Sequence, residues 1–98
     1  MHADDTRSYP LALVVFDPAL GAFSVAPMLR DQVRAPESLG PFASEDEAVT
    51  AAQARYPQAR IVHAIYQRAR HGQMFLEREP GTTRPTPGGR SLWYRPHP

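Results

Sequence analysis

The stretch 44–67 constrains this fold more than any other, because it joins a capped helix directly to a strand. Ser44 followed by Glu47 is the pattern of a capping box, in which the serine hydroxyl accepts the Glu47 N–H and the Glu47 carboxylate reaches back to the Ser44 N–H. Pro57 ends the helix, since the residue before a proline is pushed out of the α region. Residues 61–66 then have the composition of a strand.

The predicted helix, residues 45–56, has one apolar face that is rich in small side chains. Its members are Ala48, Val49, Ala52 and Tyr56. Their spacing places them on one side of a helix, so we expect that side to pack closely on a sheet. In the following strand Ile61, His63 and Ile65 should face one way, and Val62, Ala64 and Tyr66 the other.

Three further strands are predicted around this helix. The apolar run Leu11–Phe16 has the length of a buried strand. Asp17, Pro18 and Gly21 form a turn signature, and residues 22–26 return as a second strand, which gives a hairpin over residues 10–26. Residues 73–79 predict a strand after the connection 68–72.

These elements predict an α+β fold in a single domain, residues 9–79. We expect an antiparallel sheet of four to five strands with one main helix packed on one face, in the order β-β-α-β-β. Residues 1–8 are interpreted as a flexible arm. The long connection 27–42 is either a crossover pinned by Leu29 and Val33, with a short helical turn near 29–34, or a binding surface.

Residues 80–98 differ in composition from the rest of the chain. They hold five prolines and three glycines, which is typical of an extended tail. Trp93 lies between Leu92 and Tyr94 in this tail. Three alternatives stay open for it: a fifth C-terminal strand, an anchor docked on its own domain, or a hook for a partner.

One helix can bury only one face of the predicted sheet, so the apolar residues of the opposite face must be buried by something else. Soluble monomers rarely expose contiguous apolar patches beyond several hundred Å². The economical candidates are the tail that carries Trp93 and a second copy of the chain.

Composition excludes several classes of protein. The chain of 98 residues has no cysteine, which excludes disulfide scaffolds, cysteine-bearing zinc sites and thiol chemistry. Its longest apolar run is far shorter than the roughly 20 residues that span a bilayer, so no membrane association is predicted. The acidic N-terminus, Met1–Asp5, lacks the apolar core of a secretory signal, which favours the cytoplasm.

No constellation of polar residues points to catalysis, a metal, a cofactor or a small-molecule ligand. The four histidines show no i, i+4 pair of the kind that binds metals on a helix. We interpret His63 as a hydrogen-bonded histidine on the sheet rather than as a catalytic residue. An enzyme would need His63, Tyr66 and an acid to converge. The pair Gly88-Gly89 lacks the lysine of a phosphate-binding loop, and a turn is the preferred interpretation.

The charge is unevenly distributed along the chain. All 11 basic residues are arginines; residues 1–54 carry a net charge of −5 and residues 55–98 a net charge of +6. The leading hypothesis is a non-catalytic protein-interaction module, a homodimer using the sheet face, an edge strand or the tail. The alternative is an accessory protein that binds single-stranded nucleic acid. The candidate interaction residues are Arg68, Arg70, Arg90, Trp93, Tyr94 and Arg95.

The phrase Gly40–Ala48 resembles the Gly-x-Phe-x-Ser…Ala phrase of SPOR peptidoglycan-binding domains, in which a strand leads into a helix. The resemblance covers nine of the 98 residues. No binding residue is carried over from the family.

Overall fold

A computed structural model describes residues 9–29, 33–35, 37–68 and 73–94 of the chain. The elements are β1 (Leu11–Asp17), β2 (Ala22–Leu29), β3 (Val33–Arg34), β4 (Leu39–Phe42), α1 (Glu45–Arg55), β5 (Arg60–Arg68), β6 (Gln73–Glu77) and β7 (Ser91–Tyr94). The strands form one sheet in the order β3-β2-β1-β5-β6-β7, and β4 also pairs with β2. Within the described residues, no helix is long and apolar enough to cross a membrane.

The predicted α+β class is confirmed, but the sheet is mixed rather than antiparallel. β1 and β5 pair in parallel, while the other neighbours are antiparallel. β4 runs against β2 and therefore in the direction of β1. Because α1 carries the chain back across the sheet, β5 starts at the same end as β1 and joins it in parallel, as a strand–helix–strand crossover requires.

The predicted hairpin of β1 and β2 is confirmed. The Asp17 carbonyl accepts the N–H groups of Leu20 and Gly21 at 3.1 and 2.8 Å, and the Asp17 carboxylate accepts the N–H of Ala19 at 3.0 Å. Gly21 has φ of +64°, a value that favours glycine. The second strand continues to Leu29, three residues beyond its predicted end.

The connection 27–42 forms extended structure where it is described. The helical turn expected near 29–34 is wrong for Val33 and Arg34, which form β3 against β2. Leu29 ends β2 and is 36% exposed, so it is not an anchor. Leu39 in β4 instead packs against the core. Residues 30–32 and 36 lie outside the described residues.

The helix begins as predicted, with one change in the capping box. Ser44 is the N-cap, and its Oγ accepts the Glu47 N–H at 3.2 Å. The Glu47 carboxylate accepts the N–H of Ala43 rather than that of Ser44, also at 3.2 Å. The helix therefore secures the residue before its cap, which links β4 to α1.

Two apolar clusters lie on the two sides of the sheet. On the helix side, Ala48, Ala52 and Tyr56 are completely buried against β1 and β2, as the predicted helix face requires. On the opposite side, the buried residues are Leu13, Val15, Ala26, Met28, Ala64 and Phe75, none more than 4% exposed in a single chain. A second copy is therefore not needed to bury these residues.

Part of the predicted tail joins the sheet. Of the three alternatives left open for the Trp93 segment, its backbone forms a strand, because Ser91–Tyr94 pair with β6. Turns fold the preceding residues, with the N–H of Thr82 donated to the carbonyl of Glu79 and that of Gly89 to the carbonyl of Thr86. The arm 1–8 and residues 95–98 lie outside the described residues.

Candidate functional site

The predicted interaction residues do not all meet at one place. Arg68 ends β5, in register with Gln73 and, across β6, with the position of Tyr94. Arg90 lies at the other end of β7, beside Glu77. At about 3.3 Å per residue, the backbones of Arg90 and Tyr94 are separated by about 13 Å. Arg70 and Arg95 lie outside the described residues, and Trp93 is in register with Met74, the second residue of β6.

β7 forms one edge of the sheet. The Glu77 N–H donates to the Arg90 carbonyl at 2.9 Å, so the backbone polar groups of Arg90 point toward β6. Antiparallel ladders alternate, and the backbone N–H groups of Ser91 and Trp93 therefore face away from β6. In the part of the chain that the structure describes, no strand pairs with that outer side.

The opposite edge of the sheet is interrupted. It consists of two short strands, β3 and β4, and the register of β4 shifts between Phe23 and Val25 of β2. Pro41, within β4, has no N–H to donate. Gly40 has φ of +119°, and a Cβ there would lie 3.1 Å from the Phe23 carbonyl oxygen. Short strands, irregular register and proline are the features with which proteins prevent pairing at an edge.

A buried arginine occupies the helix side of the sheet, beyond the N-terminus of α1. The Arg78 side chain has no exposed surface. Its Nε donates to the Ala64 carbonyl at 2.7 Å and its Nη2 to the Val14 carbonyl at 3.1 Å. Its Nη1 donates both to Glu45 Oε1 at 2.9 Å and to the Thr82 carbonyl at 2.8 Å. One guanidinium thus joins two strands, the helix and the segment that follows β6.

Glu45 is the carboxylate that neutralises this arginine. Its Oε1 also accepts the Gly81 N–H at 3.0 Å, and its Oε2 contacts His63 Nδ1. Burial raises the pKa of Glu45, but hydrogen bonds from Arg78 and Gly81 and the charges of Arg78 and His63 outweigh it and lower the pKa below its ordinary value. The carboxylate is therefore held ionised inside the fold.

The convergence that an enzyme would need is only partly present. His63 meets an acid, Glu45, but Tyr66 belongs to the cluster on the opposite side of the sheet. Strand alternation places these two residues on opposite faces, because Tyr66 lies three positions after His63. Among the described residues, no three His, Asp or Glu side chains are grouped so that they could hold a metal ion.

Sequence reasoning missed the roles of Arg78 and Glu45. Arg78 lies in a Glu-Arg-Glu run, which is typical of a solvated strand end. The alternation of side chains along a strand could have revealed the burial of Arg78. Met74 and Leu76 lie on one side of β6, and Arg78, the residue after β6, lies on the same side. That side faces the helix layer, where a lone charge requires a partner.

A second polar contact secures the connection before the helix. The Tyr56 hydroxyl donates to Glu37 Oε2 at 2.6 Å, and the Tyr56 ring meets that of Tyr9 edge-on with centroids 5.4 Å apart. Burial and the hydrogen bond and charge of Glu37 raise the pKa of Tyr56. This contact holds residues 37–42 near the C-terminus of α1.

Comparison with known proteins gives no relative for this chain. No family model matches it, and no curated protein and no solved structure matches it either.

Proposed function

We propose that this protein is a non-catalytic interaction module that self-associates through the outer side of β7. In this arrangement the β7 strands of two copies run antiparallel about a two-fold axis, and the two sheets become one. The donors would be the backbone N–H groups of Ser91 and Trp93, which face away from β6.

The observation that carries this proposal is the contrast between the two edges of the sheet. The β3 and β4 edge is short, irregular and interrupted by Pro41. β7 reads Ser-Leu-Trp-Tyr, with no proline, glycine or charge among its four residues. Because an unprotected edge is a template for pairing with another chain, an edge left open opposite one that is closed supports a docking role.

Burial of the far face of the sheet also supports the edge over the face. Leu13, Met28 and Phe75 are at most 2% exposed in a single chain. Residues already buried add no apolar area when a partner arrives, and so contribute little to association. Of the surfaces expected from the sequence, the edge is therefore the one that we propose.

The non-catalytic part of the proposal is supported by how the polar cluster is used. The guanidinium of Arg78 is bound to three backbone carbonyls and to Glu45. The Glu45 carboxylate is in turn shared among Arg78, Gly81 and His63. Groups engaged in this way hold the fold together, since each is bound to another part of the chain.

Sedimentation equilibrium tests the proposal with a variant that blocks the edge. Ser91→Pro removes an N–H that faces away from β6, so the ladder within the chain should survive while pairing between copies is lost. Ser91→Thr is the matched control, because it keeps the N–H and suits a strand. We expect dimers for the wild type and for Ser91→Thr, and monomers with an unchanged circular dichroism spectrum for Ser91→Pro.

Two results would contradict self-association through β7. One is a wild-type chain that stays monomeric over a wide range of concentrations, and the other is a Ser91→Pro variant that still dimerises. Single-stranded nucleic acid is the competing partner. Retardation of a labelled oligonucleotide that weakens steeply with salt, from a chain that remains monomeric, would favour it.

A further inference from the structure

We infer that the Glu45 carboxylate, through its contacts with Arg78 and Gly81, holds residues 78–94 against the rest of the fold. Residues 78–94 are here called the C-terminal unit, and the contacts of Glu45 with this unit are called the clasp. Removing the charge of Glu45 should release this unit locally while the sheet of β1, β2 and β5 stays folded. The inference rests on the proposed function in one respect, which is that the clasp controls whether the β7 edge is available for pairing with a second copy.

Glu45 lies where three parts of the chain meet. Glu45 is the first residue of α1, His63 belongs to β5, and Arg78 and Gly81 open the C-terminal unit. The carboxylate binds Arg78 through its side chain and Gly81 through its backbone, at 2.9 and 3.0 Å. Two of the three groups that it contacts therefore belong to the C-terminal unit.

The buried guanidinium makes the clasp dependent on charge. Arg78 has no exposed side-chain surface, and its Cζ lies 5.3 Å from the centre of the Phe23 ring. Among the described acidic residues, Glu45 alone forms an ion pair with it. An arginine that loses its only carboxylate at a buried position is left as an uncompensated charge, and it gains free energy by moving to water.

Apart from the contacts of the Arg78 and Glu45 side chains, the described residues of the C-terminal unit are attached through backbone hydrogen bonds. These include the β6–β7 ladder, the Arg78 N–H, which donates to the His63 carbonyl at 3.2 Å, and the Thr86 N–H, which donates to the Glu77 carbonyl at 2.8 Å. The Glu77 carboxylate accepts the Arg90 N–H at 3.1 Å. Among the hydrogen bonds and ion pairs of the described residues, those that join this unit to α1, β1 and β5 all involve Arg78 or Gly81. A segment attached at so few points can open separately from the global fold.

Native-state hydrogen exchange on the full chain tests the clasp, using Glu45→Gln with Asp46→Asn as the matched control. Both variants lose one negative charge in the first turn of α1, but Asp46 is exposed, and Arg78 is paired with Glu45. The reporters are the Glu77 amide, which donates to the Arg90 carbonyl, and the Thr86 amide, which donates to the Glu77 carbonyl, because both bonds join the C-terminal unit to the end of β6. The amides of the β1–β2 ladder are the reference.

We expect Glu45→Gln to speed exchange at Glu77 and Thr86 by about tenfold or more relative to Asp46→Asn, with the reference amides unchanged. Equal exchange in the two variants would overturn the inference, and so would an equal acceleration at every amide, which would mean that the unit does not open by itself. The samples are kept dilute enough for a single copy. If the chain never associates, the proposed function is refuted, whereas the exchange rates of the reporter amides still test whether Glu45 holds the C-terminal unit.

Discussion

Replacing Arg78 with methionine removes a buried charge that is bound to three backbone carbonyls and one carboxylate. The change keeps an unbranched side chain of similar length, so it leaves a small cavity. What is lost is the ion pair with Glu45 and the donors to the carbonyls of Val14, Ala64 and Thr82. Glu45, only 13% exposed, keeps its charge without its arginine.

The expected loss of stability is large for a domain of this size. Breaking a buried ion pair by removing one partner costs about 3–5 kcal/mol. A protein like this one is stable by about 5–15 kcal/mol. With a urea slope of about 1.5 kcal/mol per M, the unfolding midpoint of Arg78→Met should fall by about 2–3 M. The Phe23 ring, which now packs beneath the guanidinium, would contact the methionine instead.

Equilibrium urea unfolding followed by far-ultraviolet circular dichroism measures this change. Arg84→Met is the control, since Arg84 is an exposed arginine in the same segment and its replacement should change stability by no more than about 0.5 kcal/mol. Combining Arg78→Met with Glu45→Gln should cost about 1–3 kcal/mol less than the sum of the two single changes. If Arg78→Met is no more destabilising than Arg84→Met, the argument from burial is refuted.

Two further predictions concern the pKa of Glu45 and the hydrogen bond between Tyr56 and Glu37. The lowered pKa of Glu45 means that its contribution to stability is present above its ordinary pKa and is lost as the pH falls through the lowered one. The stability difference between wild type and Glu45→Gln should therefore shrink on acidification from about pH 6 to about pH 3, and a constant difference would contradict the assignment. Tyr56→Phe removes the hydrogen bond to Glu37 and should lower the free energy of unfolding by about 1–2 kcal/mol, whereas a loss below about 0.3 kcal/mol would show that water replaces the contact.

Local signals made much of the fold predictable. The Ser44 cap, the apolar face of the helix and the turn from Asp17 to Gly21 each depend on a few neighbouring residues. Their physical chemistry is visible in the sequence, and each appears in the structure. The direction of β5 was not predictable in this way, because it depends on β4, a four-residue strand around Gly40 and Pro41.

The polar cluster could not be predicted because its partners are distant in sequence. Glu45 and Arg78 are separated by 33 positions, and Arg78 and Val14 by 64. Glu45 also has a sufficient local explanation as an acid in the first turn of a helix. A residue with one adequate role gives no sign of a second, so only the packing of β5, α1 and the residues after β6 reveals it.

The pairing of two β7 strands is tested most directly by a distance between two copies. The chain has no cysteine, so Ser91→Cys provides a single site for a spin label. Antiparallel pairing over four residues places the two Ser91 backbones within about 15 Å of each other, and electron paramagnetic resonance should show strong dipolar broadening that disappears on dilution with unlabelled protein. A spectrum without broadening, from a sample that sediments as a dimer, would show that the two copies meet elsewhere.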